Sequence, residues 1–162
     1  MRTYPELIAF ICLAVLVPPV AASSRMGPVE VSLRDGRPCF SMTAKDWKRD
    51  PKQRFQALVV SDASEKPVTS VWEFQSVSPD GIPITAGTCF GYGQTAPGTT
   101  STDPAALKAG RVYSVSMNVS QSDSSDPTMG YVGTFCMAEE GAERRLVPVT
   151  PDQPAWHSGS CK

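Results

Sequence analysis

LKAGRVYSVSMNV, residues 107–119, is the stretch that decides the fold class of this chain. From Tyr113 onward apolar and polar residues alternate without a break. Tyr113, Val115, Met117 and Val119 fall on one face; Ser114, Ser116 and Asn118 fall on the other. A period of two marks a strand with one buried face, whereas an amphipathic helix needs apolar residues at three- and four-residue spacing. The same period returns elsewhere in the chain. VEVSL at 29–33 alternates, and Asp35-Gly36 supplies the two central residues of a tight hairpin turn that needs positive φ at both. That turn sets a register in which Val31 faces Phe40 and Val29 faces Met42. FQALVV at 55–60 reads as a strand. Residues 68–77 alternate again, with Trp72 and Phe74 on one face and Glu73 and Gln75 on the other. Pro79-Asp80-Gly81 is a turn, and residues 82–92 form an edge or bulged strand broken by Pro83 and Gly87. Loops are expected at 93–105 and 120–128, strands at 131–138 and 145–149, and coil in the tail. About seven or eight short strands between turn signals imply an all-β domain, a two-sheet sandwich, with a small barrel as the rival architecture.

The N-terminus places the chain in a compartment. Residues 7–17 are apolar, but a spanning helix needs about 20 such residues, and Pro18 and Pro19 interrupt first. The small residues of VAAS, 20–23, then suit signal peptidase. The expected organisation is a cleaved signal peptide at 1–22, a short leader at 23–28 and one domain at 29–162. Cys12 follows Phe10 and Ile11 and not the small residues of a lipobox, so it reads as a small hydrophobe lost with the signal. The remaining cysteines, Cys39, Cys89, Cys136 and Cys161, imply two disulfides in an exported, soluble protein, periplasmic or secreted. Three connectivities are possible; the working expectation pairs Cys39 with Cys89 and Cys136 with Cys161. No C-x-x-C spacing and a single histidine argue against a metal site. A formal net charge of −1 gives no electrostatic basis for a nucleic-acid partner.

The sequence offers little for catalysis, and no cofactor or catalytic residue is assigned. His157 lies in the terminal tail, where a base lacks rigid support. Glu139, Glu140 and Glu143 surround a hairpin tip and read as a solvated face. GYGQTAPG at 91–98 lacks the lysine and following helix of a phosphate loop. The candidate partner surface is the basic segment at 45–54. There Trp47, Lys48, Arg49 and Arg54 combine the residue types enriched in binding hot spots. The competing reading is a solvated loop with Trp47 tucked onto the domain. Trp156 is a second, weaker candidate on the same logic.

LKAGRVY also resembles the tyrosine corner of immunoglobulin- and fibronectin-like sandwiches. In that motif a Leu precedes a Gly, and a Tyr opens the next strand with its hydroxyl bonded to backbone upstream. The resemblance assigns those parts to Leu107, Gly110 and Tyr113. More widely, the order VEVSLRDGRPCFSM, VWEFQ, ITAGTCFGYG, LKAGRVYSVSMNV and GTFCM resembles small bacterial periplasmic proteins, often lipoproteins, regarded as immunity proteins of type VI secretion. The likeness implies binding and neutralising a toxin delivered to the periplasm, without specifying contact residues. Lacking a lipobox, this chain would act unanchored. The alternative is a structural or surface-assembly subunit with an immunoglobulin-like fold, which would need an incomplete sheet awaiting a donor strand.

Overall fold

The computed structural model describes residues 24–140 and 143–161; the expected signal peptide at 1–22 lies outside the described residues. Ten strands and two short helices follow in chain order. The first half holds β1 (Arg25–Arg34), β2 (Arg37–Met42), α1 (Ala44–Arg49), β3 (Arg54–Asp62), β4 (Thr69–Ser76) and β5 (Ile82–Pro83). The second holds β6 (Phe90–Gly91), β7 (Thr99–Ser101), β8 (Val112–Ser120), β9 (Thr128–Glu140), β10 (Glu143–Pro148) and α2 (Pro154–Ser158). The architecture is all-β. The strands form one continuous mixed sheet in the order β6-β2-β1-β9-β8-β3-β4-β7, with β10 on β9 and β5 on β3.

β1 changes partner along its length. Residues 25–28 run parallel to the start of β9, and residues 29–34 run antiparallel to β2. Most of the expected leader at 23–28 is therefore strand. Gly27 permits this: a Cβ there would meet the Tyr131 ring at 2.6 Å, so any larger residue would push the strand off its partner. At the other end of β1 the turn is as expected, with Asp35 at φ 50° and Gly36 at φ 73°, and Val31 opposite Phe40 and Val29 opposite Met42.

Curling brings two layers of aromatic side chains face to face. Phe55 stacks on Phe90 at 4.2 Å between centroids, Phe40 meets Phe135 at 5.7 Å, and Trp72 meets Tyr92 edge-on at 5.3 Å. All six are buried, each removing enough apolar surface to contribute about 1.5–3 kcal/mol. Tyr113, Val115, Met117 and Val119 all point into this core, as do Trp72 and Phe74. Cys39 pairs with Cys89 and Cys136 with Cys161, at Cα separations of 5.5 and 6.2 Å.

Two segments expected as loop and coil are helical. Thr43 caps α1: its Oγ1 accepts from the Asp46 N–H at 3.0 Å and donates to the Asp46 carboxylate at 2.7 Å, so one residue satisfies an orphan amide of the first turn. In the tail, Pro154 opens α2 and Gly159, at φ 65°, closes it.

Candidate functional site

Tyr113 is buried, and its Oη accepts from the Lys108 N–H at 2.8 Å. Gly110 takes φ 77° in the same crossover and donates its N–H to Met137 O at 2.8 Å, while Leu107 packs against the core. This is the backbone tie that a tyrosine corner requires.

The residues of the basic segment have different contacts. Arg49 is taken up by structure: its guanidinium contacts Asp46 at 2.7 Å, Asp126 at 2.6 Å and Thr128 Oγ1 at 3.1 Å. The Thr128 hydroxyl donates to Asp126 at 2.7 Å. This bond, working against desolvation and joined by Arg49, holds the Asp126 carboxyl at about 2. Reciprocally, Asp126 raises the Arg49 guanidinium above its ordinary value. Arg54 donates to the carbonyls of Asp80 and Gly81 at 2.6 and 2.8 Å, pinning that turn. Trp47 is half-buried against the core, with its indole Nε1 lacking an acceptor among the described residues. Of the four, only Lys48 is an exposed side chain without such a role. Nearby, burial works to raise the Asp50 carboxyl, but the hydroxyl and N–H of Ser122 overcome it and hold it below the usual range. These contacts fasten α1 to the loop between β8 and β9.

A concave surface lies on the outer face of the sheet. Its floor comes from three neighbouring strands in direct register. Ser61, Ser114 and Thr134 form one row across β3, β8 and β9; Val59, Ser116 and Val132 form the next. Met26 and Pro28 of β1, Pro148 at the end of β10, the residues 149–151 that follow it, and Trp156 of α2 also line it, and the groove measures about 760 Å³. Met26, Val132 and Trp156 are 43%, 44% and 44% exposed, so three exposed large apolar side chains line one groove. No described group hydrogen-bonds the hydroxyls of Ser61, Ser114, Ser116 or Thr134.

The C-terminal segment crosses this outer face as a strap, with a second groove of about 720 Å³ on its far side, over Cys136, Ala138 and Val147. The strap is tied at both ends. Val149 N–H donates to Thr134 O at 2.8 Å; at the other end Cys161 is bonded to Cys136 and donates its N–H to Gly110 O at 3.0 Å. The Ser64 hydroxyl also donates to Gly159 O.

The described lining of the first groove contains no Asp, Glu, His, Lys, Arg or Cys. No described lining residue is a base positioned to activate its serines. What the surface offers is apolar contact, four free hydroxyls and a covalently fixed wall. His157 sits on α2, exposed. In the sequence the signal for this groove was the choice of outward residues. A solvated strand face usually carries Lys or Glu, whereas 114, 116, 59, 61, 132 and 134 are Ser, Val and Thr. Compared with protein families, with curated proteins and with solved structures, the chain finds no match.

Proposed function

We propose that this is an exported binding protein that neutralises a partner protein by occupying it, in the manner of an immunity protein against a toxin of type VI secretion. Removal of residues 1–22 leaves a periplasmic or secreted domain whose curled sheet works as an immunoglobulin-like sandwich. Two disulfides hold that frame in an oxidising compartment. The observation that carries the reading is the groove floored by Ser61, Ser114, Thr134, Val59, Ser116 and Val132. It is open and apolar, its described lining has no ionisable side chain, and it is supported on rigid strands. Trp and Met at its edge are residue types enriched in protein interfaces.

The test is capture from periplasmic extract by the secreted protein, compared with Ser116→Arg, which places a charged side chain on the groove floor. Wild type should retain a discrete protein and, co-produced with it, suppress that protein's toxicity. Ser116→Arg should lose both while keeping the wild-type circular dichroism and melting cooperativity. Equal retention by the folded variant would sink the proposal, as would retention of no protein.

A further inference from the structure

We infer that the groove takes an extended, uncharged polypeptide segment of the partner, laid across β3, β8 and β9. This rests on the binding reading above and specifies what it binds. Two observations carry it. The first is the pair of rows. Ser61, Ser114 and Thr134 stand on adjacent strands in register. Neighbouring strands are about 4.8 Å apart, so the row spans about 10 Å, close to three residues of extended chain at about 3.3 Å each. A hydroxyl both donates and accepts, so free hydroxyls along that row can serve successive N–H and C=O groups of a main chain. The second is charge. With no ionisable side chain in the described lining, a charged residue brought into the groove would lose its water without gaining a counter-ion there. Uncharged side chains instead find apolar surface at Met26, Val132 and Trp156. A neutral oligosaccharide could use the hydroxyls but would leave most of the aliphatic lining unmatched.

Panning a random dodecapeptide phage library on the secreted protein tests this without knowing the partner. The recovered peptides should share an uncharged stretch with aliphatic or aromatic residues. As synthetic peptides they should bind roughly tenfold or more weakly to Ser114→Arg. The hydroxyl-free triple variant Ser61→Ala/Ser114→Ala/Thr134→Val, which keeps the apolar surface, should also bind roughly tenfold more weakly. Lys45→Glu, on the exposed side of α1, should leave binding unchanged. Recovered peptides with charged centres, or equal binding by both folded groove variants, would overturn the inference. Enrichment of no peptide would overturn it too. Fluorescence quenching by chitohexaose, absent in Trp156→Phe, would then assign the groove to a glycan. If Ser116→Arg abolishes partner capture while panning yields charged sequences, only this inference fails. If Ser116→Arg leaves capture intact, the functional reading fails with it.

Discussion

Replacing Tyr113 by Phe removes one oxygen from the core and leaves the ring in place. The Tyr113 ring stacks on Phe135 at 5.6 Å between centroids, with 28° between planes, and Phe keeps that contact. What is lost is the acceptor for the Lys108 N–H, 2.8 Å away in a part-buried position. An amide left without its partner costs about 1–3 kcal/mol. A domain of this size shifts its melting temperature by roughly 2–4 °C per kcal/mol. Taking about 1.5 kcal/mol, Tyr113→Phe should melt about 3–6 °C below wild type. Tyr113→Ala removes the ring as well and should lose about 3–5 kcal/mol in all. Differential scanning calorimetry on the disulfide-intact protein measures both, and the comparison separates hydroxyl from ring. A Tyr113→Phe protein that melts within about 1 °C of wild type would show that the hydroxyl does not hold the crossover between residues 107 and 113.

Other outcomes follow from the same contacts. Asp126 is held at about 2 in the folded chain against about 3.9 when unfolded. Its stabilisation is therefore complete above about pH 4 and is lost as pH falls from about 4 to about 2. Asp126→Asn should flatten that part of the acid-unfolding curve, read by circular dichroism across that range. Replacing Cys136 and Cys161 together by Ala opens a loop with a sequence separation of 25, which the chain-entropy model values at about 3–4 kcal/mol. The midpoint of urea unfolding should fall accordingly, and amide exchange at residues 150–160 should accelerate before exchange in the core. Gly27→Ala sets a methyl 2.6 Å from the Tyr131 ring. It should cost about 1–3 kcal/mol, with the loss reported by amide exchange at residues 25–28.

The parts of the fold legible in the sequence are those set by local rules. Asp35-Gly36 fixes the register of its hairpin because a two-residue turn leaves one pairing that keeps Val29 and Met42 on the same side. Trp72, Phe74, Tyr113, Val115 and Met117 are buried because alternation states which face they share. The rest depends on contacts between distant residues. Nothing local in RMGP, residues 25–28, predicts a parallel partner that begins at Thr128, so these residues read as leader when they are strand. Polar composition made 44–49 look like loop, whereas Thr43 and Asp46 cap a helix and Arg49 locks it to Asp126, 77 positions away. That bond ties α1 to the loop between β8 and β9. The groove was hidden for a related reason. Each of its serines is ordinary on its own strand, and only the register of β3, β8 and β9 sets them in rows.

The divided loyalty of β1 has a consequence for how the molecule comes into being. A chain threaded amino end first, from a ribosome or through a translocation channel, presents residue 25 about a hundred positions before Thr128 emerges to receive it. Until then the backbone of residues 25–28 can bond only to water, and the hairpin ahead of it can form alone. Ring closure over that distance is entropically demanding and slow. Residues 25–28 are therefore among the last pieces seated, and a nascent chain stalled short of β9 should keep that end accessible to proteases.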